Sequence, residues 1–138
     1  MLRYMLDTNV CIRVIRDRPP SARIRFNAEA TGLCISAVTL GELWHGAAKS
    51  ARPTEARQQV DQLAARLETL PFDDAAAAHF GDIRADLERR GAVIGPYDLM
   101  IAGHARSRGL IVVTGNLGEF RRVDGLRCED WLDGAEAG

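Results

Sequence analysis

Three acidic side chains in this sequence stand where they could share a metal ion. Asp7 follows a short apolar run, and Glu42 and Asp98 lie near the starts of two predicted helices. If folding brings two of these carboxylates within about 4 Å, their repulsion costs on the order of 4 kcal/mol at an effective dielectric constant near 20. A marginally stable domain then needs a cation or a proton to offset the repulsion. We therefore interpret the three residues as a candidate metal site.

The candidate ligands are all oxygen donors. Oxygen ligands without a supporting cluster of histidine or cysteine favour Mg²⁺, or Mn²⁺, over zinc and copper. Mg²⁺ keeps several of its waters and binds phosphate oxygens, so the predicted chemistry is phosphodiester hydrolysis. The metal lowers the pKa of the attacking water and neutralises charge on the phosphate. One metal ion and two metal ions both fit the sequence.

Each acid also has a purely structural interpretation. Asp7 can cap a helix, and Glu42 can complete a capping box with Thr39. Asp98 can interact favourably with the positive end of a helix dipole. Helix starts attract acids in any case, so the structural interpretation is the stronger one for each residue taken singly. It is the combination that favours a metal site.

The histidines offer a competing site. Glu42 and His45 have the Glu-x-x-His spacing of di-iron helix bundles, but that architecture requires two such motifs and further glutamates. The sequence contains a single copy. We interpret His45 as a helix-surface or packing residue, and we assign no role to His79 or His104.

Length and composition limit the possible classes of protein. A chain of 138 residues fits one domain, over residues 1–138, whose last few residues we expect to be flexible. No apolar run reaches the length of a membrane span, and the amino terminus lacks the pattern of a signal peptide, which predicts a cytoplasmic protein. The net charge of −1 provides no general attraction to nucleic acid, so binding to RNA must depend on local groups of arginine. Three widely spaced cysteines indicate neither disulfides nor a zinc site.

Strands and helices alternate along the predicted chain. Apolar runs at 4–6, 33–35 and 110–113 predict buried strands, and a last short strand is predicted near 127–129. Helical spacing follows each of the first two runs and precedes the third, with one helix capped by Ser21. The alternation predicts an α/β fold, with a short parallel sheet flanked by helices on both faces. In such sheets ligands bind beyond the carboxyl ends of the strands.

Several motifs in order along the chain resemble one family. The motifs are Met5-Leu6-Asp7-Thr8-Asn9, the segment from Ser36 to Leu43, the segment from Gly95 to Ala105, Val112-Val113-Thr114-Gly115-Asn116, and the segments from Glu119 to Val123 and from Gly125 to Trp131. Their order and spacing resemble the VapC toxins of the PIN-domain superfamily over nearly the whole chain. The likeness is closest, from Gly95 to Arg108 and from Phe120 to Trp131, to the branch that cleaves initiator tRNA in its anticodon loop.

The resemblance implies a Mg²⁺-dependent endoribonuclease that is the toxin of a type II toxin–antitoxin system. It implies a VapB-type antitoxin partner, a homodimer, and a hetero-oligomer with the antitoxin. We expect an antitoxin segment to occupy the acidic cleft through an inserted arginine or by displacing the metal.

Carried onto this chain, the resemblance also assigns site residues. It makes Asp7 and Asp98 the principal metal ligands, Glu42 a further carboxylate, and Thr8 and Asn116 polar supports. Many PIN domains have an aspartate where this chain has Asn116. The fourth acid is therefore either absent or supplied by Glu119, three residues later.

Two other functions fit part of the pattern. The first is a Mg²⁺-dependent phosphatase or phosphoryl-accepting domain with Asp7 as the nucleophile, although the haloacid-dehalogenase pattern requires a second aspartate where this chain has Asn9. The second is a non-catalytic acidic interaction module whose acids only cap helices and bind a basic partner.

Overall fold

A computed structural model describes residues 1–132 and shows an α/β fold with one parallel sheet. The strands are β1 (Tyr4–Leu6), β2 (Leu33–Ser36), β3 (Glu68–Leu70), β4 (Ile111–Val113) and β5 (Cys128–Glu129). The helices are α1 (Thr8–Arg16), α2 (Pro20–Ala28), α3 (Ala37–Ala48), α4 (Pro53–Ala64), α5 (Asp74–Arg89), α6 (Pro96–Ser107) and α7 (Leu117–Phe120), with a single 3-10 turn at Ala30–Gly32. The predicted fold class is confirmed. The expected flexibility of the last few residues concerns positions 133–138, which lie outside the described residues.

The sheet is buried on both faces because successive strand residues point to opposite helix layers. In β1, Tyr4 and Leu6 pack with residues of α1, α2, α3 and α4 in one core cluster. Met5, between them, packs with residues of α5 and α6 in a second cluster on the opposite face. This two-sided burial explains why the central strands read as unbroken apolar runs. No helix within residues 1–132 has the length and apolar character that crossing a lipid bilayer requires.

The chain reverses direction across the sheet next to its central strand. The strand order is β3-β2-β1-β4-β5, so the chain moves from β1 to one edge and then returns to place β4 on the other side of β1. Leu6 is in register with Val113. The residues that follow them, Asp7 and Thr114, therefore leave the sheet side by side. In open parallel sheets this point of reversal is where ligands bind.

The carboxyl-terminal part of the described chain returns to the sheet as predicted. The short strand expected near 127–129 is present as β5, paired in parallel with β4. Trp131 is 2% exposed and packs edge-to-face on Tyr4, with ring centroids 5.2 Å apart. Trp131 thus anchors this segment as a packing residue.

The helix predicted to be capped by Ser21 differs in its cap. Helix α2 begins at Pro20, with Pro19 in the capping position and no side-chain capping bond. The Ser21 hydroxyl instead donates to the carbonyl oxygen of Trp131, 3.2 Å away. The capping prediction is wrong because proline at the first helical position already suits the helix start without a side-chain acceptor.

Two short elements have too little apolar signal to be predicted. In β3, Glu68 and Thr69 are exposed and only Leu70 is buried, while Leu67 continues the helical spacing of the preceding segment. Helix α7 has four residues, which is about one turn and too short for a period of 3.6 residues to show. Both elements depend on contacts that are distant in sequence.

Helices α5 and α6 pack closely where α6 carries a glycine. A Cβ atom at Gly103 would lie 2.6 Å from the backbone nitrogen of Phe80. This contact leaves room only for a hydrogen atom, and it brings α6 close to α5. The position of α6 matters because its first turn carries Asp98.

The three cysteines behave as small apolar groups. Cys11 and Cys34 are buried, Cys128 is half-buried, and none of them forms a disulfide. Burial raises the pKa of the Cys34 thiol to about 12, so this thiol stays protonated at neutral pH.

Candidate active site

Asp7 lies at the carboxyl end of β1 and has two local partners. Its side chain is buried, with 3% of the residue exposed. Its Oδ1 atom accepts a 2.9 Å hydrogen bond from the backbone nitrogen of Val10, as the N-cap of α1. The Thr114 side chain also hydrogen-bonds to it. The capping interpretation is therefore correct, and it is compatible with a metal role because an ionised carboxylate has about four acceptor sites.

The surroundings of Asp7 make its carboxyl group harder to ionise in the absence of a cation. Burial raises the pKa of Asp7 to about 6, and the negative charges of Glu42 and Asp130 add to the rise. The hydrogen bonds from Thr114 and Val10 lower the pKa but do not cancel the effect of burial. A positive charge placed here would lower the pKa of Asp7 and favour its ionised form.

Asp98 and Glu119 form a carboxyl pair. Asp98 is half-buried in the first turn of α6, and its side chain hydrogen-bonds to Glu119 in α7. Burial and this hydrogen bond raise the pKa of Asp98 to about 7, and the charges of Glu119, Asp7 and Glu42 add to the rise. Two ionised carboxylates have no proton to donate, so the hydrogen bond requires that one of the pair is protonated.

Glu42 is held by a residue of α1 and takes no part in a capping box. Ser36 is the N-cap of α3 and accepts from the backbone nitrogen of Val38 at 3.1 Å, while the buried Thr39 hydroxyl has no hydrogen-bond partner. The capping-box prediction is wrong because α3 starts early enough to place Glu42 in its second turn. Oε1 of Glu42 instead accepts a 2.6 Å hydrogen bond from the hydroxyl of Thr8.

The two candidates for the fourth acidic position have different neighbours. Asn116 precedes α7, and its side chain makes no capping hydrogen bond. Its backbone nitrogen donates to Oγ1 of Thr114 at 2.8 Å. Glu119, one turn later, is the residue that the structure brings to Asp98.

Thr114 is a residue of the site that the sequence analysis did not single out. It is fully buried and connects Asp7 with the turn at Asn116. Its position directly after β4 could have identified it. Strand β4 neighbours β1, and paired parallel strands end at the same edge of the sheet.

The donor set fits a divalent cation. It consists of carboxylate and hydroxyl oxygens, the ligands that Mg²⁺ prefers. Within residues 1–132, no three His, Cys, Asp or Glu side chains stand together as a preformed ligand group. Mg²⁺ is commonly bound through one or two carboxylates and keeps several waters. Two carboxylates, those of Asp7 and Asp98, are therefore a sufficient number of protein ligands for it.

The histidines stand apart from the carboxylates. His45 is exposed on α3, in agreement with its interpretation as a surface residue. His79 accepts a 2.9 Å hydrogen bond from Nε of Arg106. His104 is buried, and Nδ1 of its ring lies 2.8 Å from Oγ of Ser36. The di-iron interpretation of Glu42 and His45 has no second motif to complete it.

A groove of about 210 Å³ lies beside Glu42, between α1, α3 and α4. Its walls are mainly apolar, and Arg16 and Glu42 supply its charged groups. The apolar lining residues are Ile12, Ile15, Leu43, Gly46, Ala47, Ala56 and Val60.

Comparison with known sequences agrees with this geometry. A family model described as the PIN domain matches residues 4–126. The chain is 54% identical over 131 residues to the tRNA(fMet)-specific endonuclease VapC of Shigella flexneri, which covers 95% of this chain and 99% of that protein. It is 47% identical over 132 residues to a Ribonuclease VapC of Haemophilus influenzae (strain 86-028NP), covering 96% of this chain and 100% of that protein.

Solved structures give the same result. The chain superposes with a TM-score of 0.91 and 53% identity on a chain of the DNA-bound VapBC of Salmonella typhimurium, covering 95% of this chain and 99% of that chain. It superposes with a TM-score of 0.89 and 34% identity on a chain of VapBC2 of Rickettsia felis, which was solved with a promoter DNA fragment, covering 94% and 99%. PIN nucleases in general depend on divalent metal ions. The predicted resemblance is thus confirmed, and the chain belongs to the PIN-domain family, within its group of VapC ribonucleases.

Proposed function

We propose that the chain is a Mg²⁺-dependent endoribonuclease toxin that cleaves initiator tRNA at the sheet edge where Asp7 and Asp98 lie. The observation that carries the proposal is the interaction of Asp98 with three other acids at that edge, since Glu119, Asp7 and Glu42 add to the effect of burial in raising the pKa of Asp98. The substrate is proposed because a relative that is 54% identical is a tRNA(fMet)-specific endonuclease.

In this proposal each acid has a distinct role. Asp7 and Asp98 hold the metal, Glu42 adds a carboxylate directly or through water, and Glu119 completes the set. The hydroxyl of Thr8 fixes the orientation of the Glu42 carboxylate through their 2.6 Å hydrogen bond.

One threonine and one asparagine, Thr114 and Asn116, support the acids. Thr114 hydrogen-bonds to the Asp7 side chain and accepts from the backbone of Asn116. It therefore links the end of β1 to the turn that leads into α7. We propose Asn116 as a polar support whose backbone, held in this way, sets the start of the helix that carries Glu119.

The proposed reaction is hydrolysis of a phosphodiester bond of RNA. When bound, Mg²⁺ supplies an activated water and neutralises charge that develops on the phosphate. The side chain of Glu119 hydrogen-bonds to that of Asp98. We assign Glu119 as the group that takes up the proton of the attacking water, because its carboxylate lies next to the proposed metal ligand Asp98. The buried Asp7 keeps its carboxylate in one orientation through Val10 and Thr114.

The alternative functions have less support. A phosphoryl-accepting aspartate must be accessible to its substrate, whereas Asp7 is 3% exposed and is used as a helix cap. An interaction module whose acids only cap helices does not require the side chains of Asp98 and Glu119 to meet.

The decisive experiment maps cleavage ends on total tRNA. We expect cuts in the anticodon loop of initiator tRNA with Mg²⁺, and no cuts with EDTA or with the Asp7→Asn protein. Cleavage that is equal in wild type and Asp7→Asn would reveal a contaminating nuclease and would contradict the proposal. Cuts spread over all tRNAs would contradict the substrate assignment alone.

We also propose that a VapB-type antitoxin binds the groove beside Glu42, because the solved relatives are VapBC complexes. The apolar walls suit an antitoxin segment with apolar side chains, and Glu42 suits an arginine at its end. Gly46 lines this groove, and a Cβ atom there would meet nothing within 4 Å. Gly46→Arg should therefore fold and lose co-purification with the antitoxin, whereas Gly81→Arg on α5, equally unobstructed, should retain it. Equal retention would place the antitoxin elsewhere.

The remaining partners and the location of the protein are part of the same proposal. We propose a homodimer that forms a hetero-oligomer with the antitoxin, in the cytoplasm, where its tRNA substrate is found. Light scattering of the toxin with and without the antitoxin measures both assemblies, and a monomer under both conditions would contradict them.

A further inference from the structure

The two helices that carry Glu42 and Asp98 are joined by a buried polar contact away from the carboxylates. Oγ of Ser36 and Nδ1 of His104 lie 2.8 Å apart, although the residues are 68 positions apart in sequence. Ser36 is fully buried and His104 is 1% exposed. Ser36 is the N-cap of α3, and His104 lies within α6.

We infer that His104 is a positioning residue of the metal site, which sets the distance between Glu42 and Asp98 by holding α6 against the start of α3. This inference rests on the proposed function, since it assumes that these carboxylates share a metal ion. Each acid lies six residues from the linked residue of its own helix, or about 9 Å along a helix axis at 1.5 Å per residue. A change in the angle between α3 and α6 at this link therefore moves one acid relative to the other.

The surroundings of the two side chains indicate which of them donates the hydrogen bond. The Ser36 hydroxyl accepts from the backbone nitrogen of Val38 at 3.1 Å, so its own proton is available to donate to a neutral imidazole. Burial lowers the pKa of His104, which keeps the ring neutral at physiological pH. The ring is fixed from another side by Phe72, packed edge-to-face with centroids 5.5 Å apart. With both contacts in place, the imidazole has one orientation.

A packing residue alone would not require this hydrogen bond. Leucine fills a similar volume in a buried site, and its cost is the lost hydrogen bond. Asparagine can present an amide group where Nδ1 lies. The pair of substitutions at His104 therefore separates the polar link from the packing.

The test is binding of Mn²⁺ to the metal-free protein, followed by electron paramagnetic resonance, together with urea denaturation of each variant. We expect His104→Leu to raise the Mn²⁺ dissociation constant about tenfold, the lower end of the effect of residues that orient metal ligands. His104→Asn should stay within about threefold of wild type. Ile101→Val, a buried change on the same helix, should lower stability and leave the dissociation constant unchanged.

Ser36→Ala provides a second route if His104→Leu fails to fold. It should weaken Mn²⁺ binding at least as much as His104→Leu, because it removes the N-cap of α3 as well as the link. Adding His104→Leu to Ser36→Ala should weaken binding no further, because the link is already lost. Unchanged Mn²⁺ binding in either single variant, or a loss in Ile101→Val equal to that in His104→Leu, would overturn the inference. The Asp7→Asn protein distinguishes a failure of the His104 link from a failure of the proposed metal site. If wild type and Asp7→Asn bind Mn²⁺ equally, the proposed metal site itself is wrong.

Discussion

The hydroxyl of Thr8 donates a 2.6 Å hydrogen bond to Oε1 of Glu42, across 34 positions of sequence. Thr8 is the first residue of α1 and directly follows Asp7. Two adjacent residues therefore serve the site: Asp7 supplies a buried carboxylate, and Thr8 orients the carboxylate of Glu42. The arrangement ties α3 to the end of β1.

The role of this hydrogen bond can be tested with a near-isosteric change. Thr8→Val keeps the branched shape and removes the donor, so Glu42 loses its fixed orientation. We expect kcat for tRNA cleavage to fall about tenfold, the scale found for groups that orient metal ligands. Thr8→Ser keeps the hydroxyl and should stay near wild type. Equal loss in Thr8→Ser and Thr8→Val would assign the effect to packing.

Asp7→Asn should make the metal-free protein more stable while it abolishes cleavage. Burial raises the pKa of Asp7 from 3.8 to about 6, so its ionised form destabilises the fold by about 3 kcal/mol at pH 8. Asparagine keeps an acceptor for the backbone nitrogen of Val10 and has no charge. We expect cleavage to fall by at least about 100-fold and the free energy of unfolding in EDTA to rise. Asp82→Asn, an exposed change on α5, is the matched control and should alter neither. A destabilised Asp7→Asn protein would contradict this balance.

The stability of the metal-free protein should fall as the pH rises from about 4 to about 7. The folded-state pKa values of Asp7, about 6, and Asp98, about 7, both lie above the reference value of 3.8. The folded protein therefore binds more protons than the unfolded chain in this window, and the stabilisation is lost as each group ionises. Urea denaturation in EDTA at pH 5 and pH 8 measures the loss.

Mg²⁺ should restore stability at pH 8 and have little effect at pH 5, where protons compete for the same oxygens. The Asp7→Asn/Asp98→Asn protein shows how all other groups affect stability. Its stability should not fall in this way between pH 5 and pH 8, and Mg²⁺ should not raise it. A wild-type protein whose response equals that of the double variant would show that these two carboxyls do not titrate as described.

Glu119→Gln tests which residue completes the acidic set. It removes the negative charge that helps to raise the pKa of Asp98, so the acid limb of the pH–rate profile should move to lower pH. The rate at the plateau should also fall by about 100-fold or more, as expected when a general base is lost. Asn116→Ala should change the rate less than Glu119→Gln. The reverse order would assign the fourth position to Asn116.

Gly103→Ala tests whether the close approach of α5 and α6 is required. The added methyl group would lie 2.6 Å from the backbone nitrogen of Phe80, so the helices must move apart, and we expect a loss of about 1–3 kcal/mol of stability. Gly81→Ala on α5 meets nothing within 4 Å and should stabilise the helix by about 0.5–1 kcal/mol. Thermal denaturation of the two variants measures both effects. A neutral Gly103→Ala would show that the interface tolerates the shift.

Much of the fold follows from local pattern. The runs that became β1, β2 and β4 are apolar without interruption because both faces of the sheet are covered, and the helical spacing between them reflects one buried stripe per helix. Asp7 could be placed at a strand end for the same reason, since a charged residue that ends a buried run marks the sheet edge. The residue types and positions grouped Asp7 with Glu42 and Asp98 as a candidate metal site, and the family likeness then assigned each of them a role.

Local pattern was insufficient for elements whose stability comes from distant contacts. β3 has two exposed residues out of three, and α7 is a single turn, so neither has a period to detect. The proposed capping box of Thr39 and Glu42 shows the same limit, because two residues at the right spacing do not reveal where a helix starts.

The order of residue types alone predicts that acids follow strands and begin helices in a parallel α/β protein. Which of these acids come into contact depends on how the chain folds. The pairing of Thr8 with Glu42, of Thr114 with Asp7, and of Asp98 with Glu119 depends on strand order and helix packing. The physical reason is that side-chain chemistry is encoded residue by residue, whereas hydrogen bonds and charge interactions act through space and depend on distances that only the folded chain sets.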